Sequence, residues 1–177
     1  LAAPRSTRES EAELQPLCRL SRKRCWPILA DASNPLRHGG RGGTIVIHYD
    51  RLCRDSRRWE ELQPQALVQW GEPPTSKVLR QRLAALDLPG VRIGGKPGLN
   101  PTQSRVARLP GTLTDLEAAL PERPGSFGTD WREADAACEE ALGKALAEPH
   151  TLFEGDLFRL LGRELPTNAA LLLANSL

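Results

Sequence analysis

The sequence predicts an α/β protein: a doubly wound, mostly parallel sheet, with part of a second α/β domain after it. Two observations carry this. Short apolar runs alternate with helical patterns along the chain. The runs are also continuously apolar, as in strands covered on both faces. With 40% hydrophobic and 26% charged residues, the 177-residue chain fits one soluble domain and a piece of another.

The elements follow in order. Residues 8–24 place Leu14, Leu17, Cys18 and Ser21 on one helical face, and Pro16 predicts that the helix starts near it. Trp26 to Ala30 is a short buried strand that ends on Asp31. Asn34-Pro35 and glycines 39, 40, 42 and 43 mark a long loop. In TIVIHYDRLCRD (44–55) the β-branched start favours a strand. Ile45, His48/Tyr49 and Leu52/Cys53 follow helical spacing, which predicts a helix over 47–54. Trp59 to Pro64 is a connector, and Ala66 to Trp70 is a strand.

Ser76 to Leu86 is helical, with Leu79, Leu83 and Leu86 on one face and Thr75 or Ser76 as cap. Val91 to Ile93 and Arg105 to Leu109 are further strands, and Thr112 to Leu120 is a helix. RPGSFG (123–128) is the predicted linker, dividing domains at 1–122 and 129–177. Beyond it, residues 130–147 carry an apolar stripe, with Asp130 and Glu133 at capping-box spacing. Thr151 and Glu154 repeat that spacing before a helix with Phe153, Leu157, Leu160 and Leu161 on one face. ALLLA (170–174) reads as a buried strand, ending at Asn175-Ser176-Leu177.

Bulk properties exclude several function classes. No run of ~18 apolar residues is present, so no membrane span is expected. The N-terminus lacks a signal-peptide core. Net charge is +2, but residues 1–60 hold 12 Lys+Arg against 7 Asp+Glu, and residues 121–177 hold 5 against 10. Without interleaved aromatics or a known module, the basic half is read as a solvated face and not as a nucleic-acid site. Cys18, Cys25, Cys53 and Cys138 have no CxxC spacing and no paired His nearby, which argues against zinc. Reduced thiols, and with them the cytoplasm, are the expectation. His38, His48 and His150 are scattered, and no complete catalytic constellation stands in the chain.

In parallel sheets, ligands gather at the carboxyl ends of the strands. Three segments qualify: Asp31 to Leu36, Gly71 to Lys77, and Asn175-Ser176. GEPPTSK (71–77) is no phosphate-binding P-loop, because Pro73 and Pro74 remove backbone donors that such a loop needs. Thr75, Ser76 and Lys77 nevertheless stand at a predicted helix N-terminus. Free N–H groups, partial positive charge and a lysine could hold a carboxylate there. A capped turn is the plainer reading. The glycines of 39–43 lack dinucleotide-fingerprint spacing and read as a flexible loop.

Three segments together resemble one family. They are CWPILADASNPLR, ALVQWGEPPTSKVLRQRL and LFEGDLFRLLGRELPTNAALLLANSL, in order and at matching spacing. The family is that of the thiamine-diphosphate enzyme 2-succinyl-5-enolpyruvyl-6-hydroxy-3-cyclohexene-1-carboxylate synthase (MenD). The resemblance implies a Rossmann-like central domain over 1–122, its first strand missing, and the start of the diphosphate-binding domain from 129. The chain is then expected to be an internal segment, inactive alone. Its intact enzyme would be a cytoplasmic homo-oligomer, a dimer or tetramer, using thiamine diphosphate and Mg²⁺ held mostly outside this chain.

The implied reaction decarboxylates 2-oxoglutarate and adds the resulting carbanion equivalent to isochorismate, towards menaquinone or phylloquinone. By motif, Lys77 and Ser176 would contact substrate, and Asn175 and Ser176 the cofactor. Val78 stands where some members have an arginine, and Ala174 where a glycine is usual. The alternative, from the residues alone, is a non-catalytic doubly wound module that binds a nucleotide or a partner.

Overall fold

A computed structural model describes residues 9–32, 34–38, 42–94, 105–120, 125–148, 151–169 and 171. The elements are α1 (Glu9–Arg24), β1 (Pro27–Leu29), a 3-10 turn (Pro35–His38), β2 (Thr44–Val46), α2 (Tyr49–Arg54) and α3 (Ser56–Glu61). They continue as β3 (Leu67–Trp70), α4 (Lys77–Leu86), β4 (Gly90–Ile93), β5 (Val106–Leu109), α5 (Leu113–Ala119), α6 (Phe127–Ala147) and α7 (Glu154–Glu164). Two compact units result, Leu1–Glu139 and Glu140–Leu177.

In the first unit every strand pair is parallel. β1 pairs with β2, Ile28 facing Ile45. The second ladder runs β3–β4–β5, with Val68 facing Val91 and Val91 facing Ala107. Successive side chains point to opposite faces of a strand, and both faces here are covered. Ile28, Ile45, Val68 and Trp70 join the cluster built on α1 and α5, around Leu14, Leu17, Leu113 and Leu116. Leu29, Val46 and Leu67 join the other, with Tyr49, Cys53, Trp59, Leu79, Leu83 and Trp131. This is the doubly wound, parallel arrangement that the uninterrupted apolar runs predict.

Several elements depart from their expected limits. α1 runs from Glu9 straight through Pro16. Pro16 forfeits one helical hydrogen bond, but a start near it would leave Leu14, now fully buried, outside the helix. α1 ends with Cys25 in the left-handed region (φ 51°) and the Trp26 N–H donating to the Ser21 carbonyl at 3.1 Å, a Schellman closure. The Ser21 hydroxyl then donates to the Trp26 carbonyl at 2.7 Å and accepts from the Thr44 N–H at 2.9 Å, joining the starts of β1 and β2.

The ambiguous 44–55 stretch is both things in turn, strand to Val46 and helix from Tyr49. The expected connector after it contains α3, capped by Asp55, which accepts from the Arg58 N–H at 3.1 Å. Buried Trp59 anchors that helix. Arg24 is no part of a solvated basic face: it is 4% exposed, and its guanidinium donates to the Leu120 carbonyl at 2.7 Å.

α6 starts at Phe127, three residues before the expected cap at Asp130. The Gly128 N–H donates to the Cys25 carbonyl at 2.6 Å, and a Cβ on Gly128 would lie 2.5 Å from that oxygen. Only glycine lets the helix come this close. Farther along α6, Asp135 Oδ1 accepts from the backbone N–H groups of Ile47 (3.1 Å) and His48 (2.7 Å). The His48 ring lies between Asp135 (3.2 Å) and Glu139 (3.0 Å). α6 therefore packs on the first unit up to Glu139, through Trp131, which is 2% exposed and meets Phe127 edge-on at 6.4 Å.

In the second unit, the expected Thr151–Glu154 capping box does not form. α7 starts at Glu154, and Asp156 reaches back to accept from the Phe153 N–H at 3.2 Å. The apolar stripe of α7 is real but unburied, with Leu157, Phe158 and Leu160 about half exposed. The predicted strand 170–174 lies, apart from Leu171, outside the described residues. Among the described residues no helix is long and apolar enough to cross a membrane.

Trp131→Ala should destabilise the chain by about 3–5 kcal/mol in urea unfolding, the range for emptying a large aromatic site. Trp131→Phe should cost less than half of that. The indole N–H has no partner among the described residues, so its loss removes a buried, unsatisfied donor.

Candidate functional site

Two of the three predicted strand-end segments come together at the carboxyl ends of β1 and β3. β1 delivers Asp31, which is 4% exposed. Its carboxylate accepts from the Tyr49 hydroxyl on Oδ1 and from the Thr75 N–H on Oδ2 at 3.0 Å. After Asp31 the chain turns tightly. The Asn34 N–H donates to the Asp31 carbonyl at 2.9 Å, and Asn34 Oδ1 accepts from the Leu36 N–H at 2.9 Å. The Arg37 guanidinium closes the turn on the Ala30 carbonyl at 3.0 Å. Burial, and then the hydrogen bond to Asp31, push the Tyr49 phenol above its ordinary range, so it stays a neutral donor.

β3 delivers the other loop. The Gly71 N–H donates to the Ile93 carbonyl at 2.8 Å, extending the ladder by one bond. Gly71 then turns at φ 79°, a conformation glycine adopts without Cβ strain. Arg80, from the first turns of α4, donates to the carbonyls of Pro74 (2.7 Å) and Thr75 (2.9 Å). Ser76 caps α4: its Oγ accepts from the Leu79 N–H at 3.1 Å. The same hydroxyl donates to Asp50 Oδ1, while Asp50 Oδ2 accepts from Arg54 at 2.8 Å. The Ser76 hydrogen bond, and then Arg54, hold the Asp50 carboxyl below its usual range.

Lys77 is the first residue of α4, and it is exposed. The helix start supplies partial positive charge, and Lys77 adds a full one. The arrangement can bind an anion. Its hydroxyls, those of Tyr49 and Ser76, each donate to a carboxylate, Asp31 and Asp50, as structural hydrogen bonds. Burial pushes the nearby Cys53 thiol up to about 12, which leaves it inert at neutral pH. Among the described residues no three His, Cys, Asp or Glu side chains cluster as metal ligands. Asn175 and Ser176, the third predicted segment, lie outside the described residues. A separate open cavity of about 380 Å³ lies at the ends of β4 and β5, along Gly94, Arg108, Leu109, Pro110 and Gly111. None of the predicted site residues is among these.

No family model matches the chain. Curated relatives do. The 2-succinyl-5-enolpyruvyl-6-hydroxy-3-cyclohexene-1-carboxylate synthase of Synechococcus elongatus is 31% identical over 176 residues, 98% of this chain and 30% of its own length. The synthase of Thermosynechococcus vestitus is 33% identical over 182 residues, covering 100% of this chain and 31% of its own length. That of Microcystis aeruginosa is 29% identical over 182 residues, again 100% of this chain and 32% of its own.

Over nearly its whole length the chain is similar to members of this synthase family. It spans about 30% of the length of the curated relatives it matches. Tyr49 and Asp50, at the start of α2, are the residues of this candidate site that sequence reasoning misses. They fall where strand and helix patterns overlap, and nothing in their spacing ties them to Asp31 or Ser76.

Ser76→Ala should cost about 1 kcal/mol at neutral pH, the usual value of a lost N-cap, measured by urea unfolding. Part of that deficit should fade in acid. A carboxyl held low in the folded state stabilises it above the ordinary carboxyl pKa, and the contribution is lost as pH falls. The gap between wild type and variant should therefore narrow as pH drops below the ordinary aspartate value of 3.8. Asp50→Asn should abolish this narrowing.

Proposed function

We propose that the chain is a segment of a thiamine-diphosphate-dependent carboligase. That enzyme decarboxylates 2-oxoglutarate and adds the succinyl semialdehyde carbanion equivalent to isochorismate, in menaquinone or phylloquinone biosynthesis. The observation that carries this is the match of 98% or more of the chain to several synthases, read together with the exposed Lys77 at a fixed helix start. Residues 1–122 serve as the central domain and 129–177 as the first part of the diphosphate-binding domain. The intact enzyme is a cytoplasmic homo-oligomer.

Lys77 holds a carboxylate of isochorismate. An ammonium at a helix N-terminus suits a carboxylate as a point charge, without the planar fork of arginine. Among the described residues no three His, Cys, Asp or Glu side chains cluster as ligands for Mg²⁺. When bound, thiamine diphosphate supplies the stabilised carbanion equivalent. Asn175 and Ser176 are the proposed contacts of this chain with it, Ser176 also facing substrate as a hydroxyl donor.

In the intact synthase carrying this segment, product should form only with thiamine diphosphate and Mg²⁺ present. Lys77→Ala should raise the isochorismate KM about 10- to 100-fold, the worth of one charge-assisted contact. The KM for 2-oxoglutarate should stay within about twofold, because a uniform binding contact to one substrate is lost. An unchanged isochorismate KM would remove Lys77 from the site.

A further inference from the structure

We propose that Asp31 is a positioning residue for Lys77, acting through the Thr75 N–H. This rests on the reading of Lys77 as the isochorismate contact. The loop between β3 and α4 contains Pro73 and Pro74, neither of which has an N–H to fix it. The Thr75 N–H is the first donor after them, and it goes to Asp31 Oδ2 at 3.0 Å. Asp31 is buried and belongs to the end of β1, in the other ladder. The bond therefore spans the carboxyl ends of the two ladders and stops two residues short of Lys77.

The carboxylate is itself held. The Tyr49 hydroxyl occupies Oδ1, leaving Oδ2 for the loop. The next residue, Asp50, takes the Ser76 hydroxyl. The two opening residues of α2 thus fix Thr75 and Ser76, one through Asp31 and one directly. Arg80 closes the loop from the other side, on the Pro74 and Thr75 carbonyls. The segment just before Lys77 is tied by three side chains, Asp31 and Arg80 on its backbone and Asp50 on the Ser76 hydroxyl, and of the three Asp31 alone is buried. A merely structural carboxylate would change stability alone. A positioning one sets where the lysine meets its anion, and misplacement of a binding group costs affinity before it costs chemistry.

The test is a double-mutant cycle in the intact synthase. Asp31→Ala should raise the isochorismate KM about fivefold, the value of one lost hydrogen bond. kcat and the 2-oxoglutarate KM should stay within about twofold. Asp31→Asn, which keeps an oxygen for the Thr75 N–H, should fall closer to wild type. In a Lys77→Ala background Asp31→Ala should add less than about twofold, because the group it positions is gone. Multiplying effects in the double variant would overturn the proposal. If Asp31→Ala does not fold, Tyr49→Phe takes its place in the same cycle. Amide hydrogen exchange over residues 71–77 separates the two readings. Faster exchange in the Asp31 or Tyr49 variant supports the positioning bond even if Lys77→Ala leaves KM unchanged. Unaltered exchange overturns it.

Discussion

The carboxylate of Asp31 is the constraint on which the carboxyl end of the first unit's strands depends. A buried carboxylate without partners is too costly to keep, so its two oxygens dictate which groups must stand beside them. Here the donors come from the opening residue of α2 and from the loop before α4. The end of β1, the start of α2 and the start of α4 are therefore placed as one set. Apolar packing supports each of them but does not fix their relative register. Leu79 and Leu83 would hold α4 against the sheet with its first turn a fraction of a residue either way. A hydrogen bond at a set distance would not.

The same division of labour runs through the unit. Two apolar clusters, on opposite faces of the strands, supply the driving force for folding. Single polar groups then choose between arrangements that the clusters alone would tolerate. The Ser21 hydroxyl sets the starts of β1 and β2 against each other. Asp135 fixes the turn between β2 and α2 by taking two adjacent backbone N–H groups. The Gly128–Cys25 contact sets how closely α6 approaches the end of α1. In the second unit, α7 has the apolar stripe but no comparable burial, and only its helical ladder and the Asp156 cap define it.

How much was legible follows from this division. Elements specified by local pattern could be read directly. β3, α4 and α5 each pair an apolar run or stripe with an adjacent cap, and each stands within two residues of its expected limits. Elements decided by tertiary contact could not. Pro16 signals a helix start, but the burial of Leu14 outweighs one missing hydrogen bond. Trp59 looks like part of a connector because α3 has just six residues, too few to show a period. The first turn of α6 exists because of a carbonyl more than a hundred residues earlier. At the candidate site, the place of Lys77 at a capped helix start was legible. Tyr49 and Asp50 were not, since nothing local distinguishes a tyrosine that bonds a buried carboxylate from one that only packs.

The two prolines before Thr75 then acquire a physical sense. A phosphate cradle is made of successive backbone N–H groups converging on one point, and glycines let them converge. A loop with Pro73 and Pro74 gives up those donors and cannot fold around an anion. What it gains is a stiff approach to the helix, since each proline fixes its own φ and restricts the residue before it. The first backbone donor after them is committed to Asp31, and the cap hydroxyl of Ser76 is committed to Leu79 and Asp50. The cation exposed at this helix start is the Lys77 side chain, standing on the partial positive charge of α4. Under the proposed function, such a site would recognise an anion through one placed cation. Its affinity would then depend on how firmly the segment beneath that cation is held.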